Sequence, residues 1–198
     1  MVTIAIQAGG QSSRMGRDKG LVKLGGLTLI EHVIHRLAEV GDELIITTNR
    51  PDEYAFLGLP LYADPQPGAG AAYGLQTALT AARGDIVLVA ACDMPFIEPG
   101  LARTLLEKLT TRIDVVVPHR QGRFEPLLAA YRRRTCLPAL SQALADGHKR
   151  MIAFYSQVNV LPINDDQLAR LDPQGLSFFN VNTPEDLARA KRLMQTKS

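Results

Sequence analysis

Apolar runs and segments of helical periodicity alternate along the first 120 residues. Residues 86–91 are apolar at every position, which is typical of a strand covered on both faces of a sheet. Residues 28–40 instead carry apolar side chains at the 3.6-residue spacing of a helix. The predicted strands of this half are residues 2–6, 44–47, 59–63, 86–91 and 114–117, and the predicted helices are residues 28–40, 72–82 and 99–109.

Strands and helices that alternate at this spacing form crossover units, which build a mostly parallel sheet with helices on both sides. We therefore predict an α/β fold. Such sheets bind ligands in the crevice beyond the carboxyl ends of their strands. The residues directly after positions 6, 63 and 91 are thus the first places to examine for chemistry.

The pattern becomes less regular after about residue 121. Here we predict strands at residues 124–131 and 158–163 and a helix at residues 135–145. A last helix should begin after Thr183, because a threonine cap followed by Pro184 is a typical helix start. No repeat or linker-like stretch divides the sequence, so we predict a single domain over residues 1–198.

The composition narrows the possible classes of protein. Lys and Arg outnumber Asp and Glu by only 22 to 20, which disfavours a protein that coats nucleic acid or a membrane surface. Cys92 and Cys136 are too few and too far apart for a disulfide framework or a zinc site. The N-terminus lacks a signal-peptide pattern, and every apolar run is shorter than the roughly 18 residues of a membrane helix, so we expect a cytoplasmic protein. The basic residues 132–134 are interpreted as a solvated helix start.

Residues 8–19, Ala-Gly-Gly-Gln-Ser-Ser-Arg-Met-Gly-Arg-Asp-Lys, follow the first strand. Glycines let the backbone approach a ligand and turn its N–H groups toward an anion, while Arg14 and Lys19 add charge suited to a polyphosphate. The segment has neither the Gly-Lys-Ser/Thr end of a Walker A loop nor the G-x-G-x-x-G spacing of a dinucleotide site. A surface loop with chance charges is the alternative, but the position beyond a strand end favours phosphate binding.

Asp93 follows the buried strand at residues 86–91 within the sequence Cys-Asp-Met-Pro. A single carboxylate on a rigid support suits Mg²⁺, which takes its remaining ligands from water and substrate phosphates. An aspartate that caps the turn into Pro95 explains the residue equally well when it is taken alone. The phosphate loop predicted in the same crevice favours the metal site.

Two further segments carry polar residues. Residues 64–70, Asp-Pro-Gln-Pro-Gly-Ala-Gly, follow the third predicted strand, and their glycines lack the spacing of a dinucleotide fingerprint. We predict that this loop offers backbone groups and Asp64 to a base or a ribose. Residues 180–187 are explained structurally by the helix start at Thr183, so a functional role for Asn182 depends on the resemblance below.

Taken together, the motifs resemble those of the molybdenum cofactor guanylyltransferase family within the nucleotidyltransferase superfamily. The matching segments are Ala-Gly-Gly at 8–10, Arg-Met-Gly at 14–16, Asp-Lys at 18–19, Cys-Asp-Met-Pro-Phe at 92–96, Glu-Pro-Leu at 125–127 and Asn-Val-Asn-Thr-Pro-Glu-Asp-Leu at 180–187. They occur in the expected order and, with their surroundings, extend from residue 4 to residue 190. One such motif would be weak evidence, whereas the ordered set is specific.

The resemblance implies a three-layer α/β/α sandwich with a mostly parallel, Rossmann-like sheet of the nucleotide-diphospho-sugar transferase type. It implies transfer of GMP from GTP to molybdopterin or Mo-molybdopterin, with release of pyrophosphate and with Mg²⁺ as cofactor. Residues 1–120 would form the nucleotide-binding half and residues 121–198 the acceptor-binding half. Proteins of molybdenum cofactor biosynthesis and acceptor molybdoenzymes would be transient partners.

The same resemblance implies roles for individual residues. The nucleotide would contact Gln7, Ala8, Gly9, Gly10, Lys19, Asp64 and Asp93, the metal would be bound by Asp93 and Asn182, and Arg14 and Lys19 would be catalytic. Two positions depart from the family pattern, since Gln7 stands where Leu is usual and Thr47 where some members carry Asn near the nucleotide. Position 7 is expected to contact the nucleotide through its backbone, so the change at Thr47 is the one that bears on base recognition.

Alternatives to guanylyl transfer stay open. A cytidylyltransferase acting on the same acceptor would resemble this chain, but that branch tends to carry Asp-x-Asp where residues 180–182 are Asn-Val-Asn. A sugar-1-phosphate nucleotidyltransferase is a more distant possibility. A nucleotide-binding regulatory module without turnover is a third, and the presence of Arg14, Lys19 and Asp93 together favours an enzyme over it.

Overall fold

The computed structural model describes residues 1–9, 18–66 and 68–195. The strands are β1 (Val2–Gln7), β2 (Lys23–Leu24), β3 (Leu27–Thr28), β4 (Glu43–Thr47), β5 (Leu61–Tyr62), β6 (Ile86–Ala91), β7 (Val115–Arg120), β8 (Arg123–Phe124), β9 (Leu128–Arg132) and β10 (Val160–Ile163). The helices are α1 (Leu29–Leu37), α2 (Pro51–Tyr54), α3 (Ala71–Ala81), α4 (Pro99–Glu107), α5 (Arg133–Ala145), α6 (Asp165–Leu171) and α7 (Pro184–Gln195).

The main sheet has the strand order β10-β7-β9-β6-β1-β4-β5, with β8 paired to β7. Its neighbouring strands are parallel except at β9, which runs antiparallel to β6 and β7, and at β8. The predicted mostly parallel sheet is thus confirmed. Because β4 and β6 flank β1 in parallel, the carboxyl ends of all three strands lie at one edge of the sheet.

Helices cover both faces of the sheet and complete the predicted three layers. Along β1, Ile4 and Ile6 pack into one hydrophobic cluster with residues of α1 and α4, whereas Ala5 packs into a second with residues of α3 and α5. This alternation is the period of two expected for a strand, and it explains why a central strand covered on both faces is apolar throughout. Among the described residues, no helix has the length and apolar character needed to cross a membrane.

The start of α1 forms as the sequence predicts. The Thr28 side chain accepts a hydrogen bond from the backbone N–H of Glu31, and the Glu31 carboxylate accepts one from the backbone N–H of Thr28 at 2.7 Å. This reciprocal capping box satisfies two N–H groups that the first helical turn leaves unpaired. The helix ends at Leu37, before the predicted residue 40, because the N–H of Val40 bonds the carbonyl of Leu37 in a tighter turn.

The prediction of one strand over residues 124–131 is wrong. The structure has two strands instead, β8 and β9, separated at residues 125–127. Pro126 has no N–H to offer a strand ladder, and the N–H of Leu128 closes a turn onto the carbonyl of Glu125 at 3.1 Å. A two-residue turn with positive φ at Gln121 and Gly122 reverses the chain between β7 and β8, and β9 then returns between β7 and β6.

Candidate active site

A cleft of about 380 Å³ opens at the carboxyl edge of the sheet, where β1, β4 and β6 end side by side. It is lined by residues 7–9 at the end of β1, residues 47–49 at the end of β4 and residues 91–93 at the end of β6. Asp64 and the glycine-rich start of α3 also line the cleft, together with Lys19 and Leu127. The residues that follow positions 6, 63 and 91, which the sequence singled out, therefore line one cleft.

Lys19 and Asp93 line this cleft, and Asn182 contacts Lys19; we call the three residues the Lys19 cluster. The Nζ atom of Lys19 lies 3.5 Å from Oδ2 of Asp93 and donates a hydrogen bond to Oδ1 of Asn182. The side chains of Lys19 and Asp93 are both largely buried. Burial raises the pKa of Asp93, while the nearby ammonium group acts in the opposite direction. Three residues predicted separately from the sequence thus form one contact group.

Backbone contacts hold Asn182 in the cluster. The N–H of Val181 donates to the carbonyl of Asp93 at 2.9 Å and so ties the segment before α7 to the end of β6. The carboxylate of Asp186 accepts from the N–H groups of Asn182 and Thr183 at 3.0 and 2.9 Å. The hydroxyl of Thr183 accepts from the N–H of Asp186 at 3.1 Å, so the predicted helix start is confirmed. The same turn positions Asn182.

The short 3-10 helix Lys19–Leu21 is anchored by two buried residues, Asp18 and Tyr54. Oδ1 of Asp18 accepts from the N–H of Gly20 at 3.1 Å and from the hydroxyl of Tyr54 at 2.5 Å. Burial raises the pKa of Tyr54 well above its ordinary value, so its hydroxyl remains a donor. A Cβ on Gly20 would lie 2.5 Å from that hydroxyl oxygen, so only glycine fits here. This anchor fixes the backbone from which Lys19 reaches the cleft.

The first glycine of the predicted phosphate loop lines the cleft. Ala8 is buried and donates its N–H to the carbonyl of Thr47 at 2.8 Å, and Gly9 follows with a φ of +147°, a conformation that L residues rarely adopt. Gly9 therefore presents bare backbone to the cleft. Gly10 and Arg14, which the sequence also assigns to the triphosphate, lie outside the described residues.

Asp64 is fixed by a set of hydrogen bonds that includes a residue missed in the sequence, Asn49. The Asn49 amide nitrogen donates to Oδ2 of Asp64 at 3.2 Å, and its amide oxygen accepts from the N–H of Asp64 at 3.0 Å. The Thr77 hydroxyl donates to Oδ1 of Asp64 at 2.8 Å. Asn49 lines the cleft two positions after Thr47. The cleft therefore has a side-chain amide near position 47 even though that residue is threonine. The polar residues 47–49 at a strand end were the available clue.

Gln7 ends β1, and its side chain lies against α3. A Cβ on Gly74 would lie 3.0 Å from the Gln7 amide oxygen, so the carboxamide rests directly on the helix backbone. Its nitrogen, Nε2, is buried and has no hydrogen-bond partner among the described residues. The sequence suggested a backbone contact at this position; the structure adds a side chain that lines the cleft.

The interpretation of residues 132–134 as a solvated helix start is wrong for Arg132. This side chain is buried, and its Nη1 atom lies 3.3 Å from Oδ2 of Asp85. Arg132 pairs in register with Ile86, the first residue of β6, whereas Asp93 follows the last. It therefore lies at the amino edge of the sheet, opposite the cleft. Local helix periodicity does not reveal that the chain enters α5 from a buried strand.

The donors in the Lys19 cluster fit a divalent metal ion. The Asp93 carboxylate and the Asn182 amide oxygen both contact the same cationic nitrogen, so they lie close enough together to share one ion. Hard oxygen donors of this kind are those that Mg²⁺ prefers. The described residues contain no group of three His, Cys, Asp or Glu side chains that could hold a metal. An ion here would complete its shell with water and phosphate oxygens, as Mg²⁺ commonly does.

The chain is similar in sequence to a family of nucleotidyltransferases. A family model described as MobA-like NTP transferase domain matches residues 4–160. A protein of Carboxydothermus hydrogenoformans, named "Probable molybdenum cofactor guanylyltransferase", is 39% identical over 196 residues, which cover 99% of this chain and 98% of the relative. The "Molybdenum cofactor guanylyltransferase" of Desulfosudis oleivorans is 34% identical over 191 residues, covering 96% of this chain and 94% of the relative.

A solved structure supports the same grouping. The crystal structure of molybdopterin-guanine dinucleotide biosynthesis protein A from Archaeoglobus fulgidus matches with a TM-score of 0.80 at 28% sequence identity. The match covers 98% of this chain and 99% of that protein. The nucleotidyltransferase fold expected from the sequence motifs is confirmed by this agreement over the whole chain.

Proposed function

The chain belongs to the MobA-like NTP transferase family, and from this we propose that it transfers GMP from GTP to molybdopterin or Mo-molybdopterin and releases pyrophosphate. The names of its relatives support this choice of donor and acceptor. The observation that carries the proposal is the Lys19 cluster, which combines one cation and two oxygen donors at a cleft lined in part by glycines. Such a site suits a metal-bound triphosphate.

In the proposed reaction, an oxygen of the acceptor's terminal phosphate attacks the α-phosphorus of GTP. The bond from that phosphorus to the bridging oxygen breaks, and pyrophosphate leaves with the electron pair. The attacking group is already an anion, so no strong general base is needed. The main obstacle is the approach of two polyanions, and catalysis then depends on positioning and on stabilising charge.

The residues of the cluster would divide this work. The ammonium group of Lys19 binds phosphate oxygens of the nucleotide, and the Asp18–Tyr54 contact keeps its backbone in place. Asp93 and Asn182 would hold Mg²⁺, which when bound neutralises charge on the reacting phosphates. Arg14 is proposed to add a second cation to the triphosphate. Cationic groups stabilise the negative charge that develops in the reaction, whereas Asp93 and Asn182 would contribute by holding the ion.

The other parts of the cleft serve the nucleoside and the acceptor. Asp64, held by Asn49 and Thr77, is proposed to face the nucleoside. Residues 121–198 are proposed to form most of the acceptor site, because this half delivers Leu127 to the cleft and Asn182 to the cluster. Proteins that supply the acceptor or receive the product are proposed as transient partners, and a cytoplasmic location suits a GTP-dependent enzyme.

Pyrophosphate release, measured with GTP, CTP, ATP or UTP and with or without molybdopterin, tests the proposal. We expect release that depends on both GTP and molybdopterin. Release with CTP would identify a cytidylyltransferase, and nucleotide binding without any release would identify a regulatory module.

Asp93→Asn keeps the size of the side chain and removes its charge, so we expect turnover to be lost while the circular dichroism spectrum stays unchanged. The matched control is Asp146→Asn at the exposed end of α5, which should retain full activity. Normal GMP transfer by the Asp93 variant would contradict the metal assignment.

A further inference from the structure

The ammonium group of Lys19 contacts the same two oxygen donors that are proposed to hold the metal ion. Its Nζ atom lies 3.5 Å from Oδ2 of Asp93 and donates a hydrogen bond to Oδ1 of Asn182. The role proposed for this ammonium group is instead to bind phosphate oxygens of the nucleotide. Lys19 therefore has two alternative sets of partners, one on the protein and one on the substrate.

An ammonium group and a metal ion exclude each other on these oxygens. Mg²⁺ holds its oxygen ligands at about 2.1 Å, which leaves no space for a second cation on the same pair of atoms. The ammonium group has no lone pair with which to become a ligand itself, and two positive charges at this separation repel each other. An ion that binds both Asp93 and Asn182 must therefore displace Nζ.

Burial makes this displacement depend on a replacement for each charge. The side chains of Lys19 and Asp93 are only 24% and 15% exposed, and a buried charge without a partner is costly. The Asp93 carboxylate can release the ammonium group readily only when another cation replaces it. The ammonium group in turn needs another anion, and a metal-bound triphosphate brings both.

The side chain of Lys19 can move while its backbone stays in place. Asp18 fixes the 3-10 helix Lys19–Leu21 through the N–H of Gly20 and the hydroxyl of Tyr54. Lysine carries its charge on a flexible four-carbon stem, and Lys19 lines the cleft. Rotation about side-chain bonds is therefore enough to carry Nζ from Asp93 toward a phosphate in the cleft.

We propose that Lys19 is an exchangeable counter-cation, which neutralises Asp93 until a metal-bound triphosphate arrives. The metal ion then takes the oxygens of Asp93 and Asn182, and the ammonium group moves to the phosphates. Metal and nucleotide bind cooperatively as a result, because an ion alone must displace a paired cation that has no other anion to bind. This inference rests on the metal site of the proposed function and adds the order in which its charges assemble.

Metal binding in the absence of nucleotide tests the exchange. Mn²⁺ prefers the same oxygen donors as Mg²⁺, and the electron paramagnetic resonance signal of free Mn²⁺ gives the dissociation constant. Lys19→Met removes the competing cation, so we expect this variant to bind Mn²⁺ about tenfold more tightly than wild type. A lysine that only supports the structure of the site, or only binds phosphate, would produce no such gain.

Matched variants separate charge from packing. Lys19→Gln removes the charge but keeps a polar side chain, so it should show the same gain, whereas Lys19→Arg keeps the charge and should bind Mn²⁺ as weakly as wild type. Lys23→Met, on the exposed position of β2, should leave the affinity unchanged. Adding Asp93→Asn to Lys19→Met should abolish the gain, because the ion then loses its charged ligand.

Two results would overturn the exchange. One is an affinity for Mn²⁺ that is no higher in Lys19→Met and Lys19→Gln than in wild type, including no binding by any of the three. The other is a gain that persists when Asp93→Asn is added, because the ion would then lie elsewhere.

The outcome for the exchange can be told apart from the outcome for the proposed function. If the wild type transfers GMP to molybdopterin but the Lys19 variants show no gain in affinity for Mn²⁺, only the exchange is overturned. If the variants show the gain but the wild type transfers no GMP, the proposed function is overturned and the exchange is retained.

Discussion

Arg132→Met removes a buried cation that joins three segments at the amino edge of the sheet. Its Nη2 atom donates to the carbonyls of Leu109 and Thr110, just after α4, at 3.1 and 2.8 Å. Its Nη1 atom lies 3.3 Å from Oδ2 of Asp85, and its Nε atom lies 3.9 Å from Oδ1 of Asp114. Methionine fills much of the same volume but supplies no donor, so these oxygens lose the hydrogen bonds and ion pairs that Arg132 gives them.

The expected loss of stability follows from these contacts. Removing one partner of a buried ion pair costs about 3–5 kcal/mol. The lower end applies here, because Asp114 keeps hydrogen bonds from Thr135 and Asn159, and the Asp85 side chain is 40% exposed to water. For a chain of this size, a loss of about 3 kcal/mol lowers the melting temperature by about 6–12 °C.

Thermal and urea unfolding measure this loss of stability. The affinity for GTP, measured well below the melting temperature, tests whether Arg132 lies away from the cleft. We expect affinity to be unchanged, because Arg132 lies at the edge opposite Asp93. Arg134→Met is the matched control, since its side chain is 65% exposed and reaches only the surface pair with Asp85 at 3.7 Å, worth less than about 1 kcal/mol. An Arg132 variant as stable as wild type, or one that is folded but binds GTP weakly, would refute the reasoning.

Three further predictions concern the site and its support. Lys19→Met should lower kcat/KM for GTP about 10- to 100-fold through weaker triphosphate binding, and unchanged steady-state constants would count against it. Tyr54→Phe should lower the free energy of unfolding by about 1–2 kcal/mol and raise KM for GTP, because Asp18 loses a donor; a variant with wild-type melting and kinetics would exclude this anchor. Burial raises the pKa of Glu43, but hydrogen bonds outweigh it, so the net pKa lies below the ordinary 4.5. Its stabilising effect is therefore present above pH 4.5 and is lost as pH falls through the folded-state pKa. The difference in free energy of unfolding between wild type and Glu43→Gln, measured by urea unfolding, should decrease as the pH falls below 4.5. A difference that does not change with pH would contradict the lowered pKa.

The central sheet could be predicted because local patterns and tertiary packing agree there. Residues 86–91 are apolar for the same reason that β6 is buried, which is contact with helices on both faces. Local patterns did not predict the chain reversal at Gln121 and Gly122 or the interruption of the strand at Pro126. The direction of a strand depends on the strands with which it pairs. The strands that pair with β9 are β6 and β7, which lie in other parts of the sequence.

The location of Asp93 in the cleft could be predicted because the sheet rule, and not the residue type alone, points to it. Asp93 stands at the end of a buried strand, and the sheet rule locates that end. Asn49 was missed because its role is a hydrogen bond to another side chain, Asp64. The burial of the Gln7 side chain could not be predicted either, because it depends on packing against α3. Arg132 was misjudged because a basic run at a helix start resembles solvated surface, while its real partners come from other strand and helix ends.

The composition of the Lys19 cluster has a consequence for folding kinetics. Its members Lys19 and Asn182 are separated by 163 positions in the chain, and Asp93 lies between them in sequence. Contacts of such long separation require the closure of large loops, so they form after the local helices and the neighbouring strand pairs. A partly folded chain can therefore contain most of the sheet and still lack the Lys19 cluster, which is complete only when the segment before α7 contacts the end of β6.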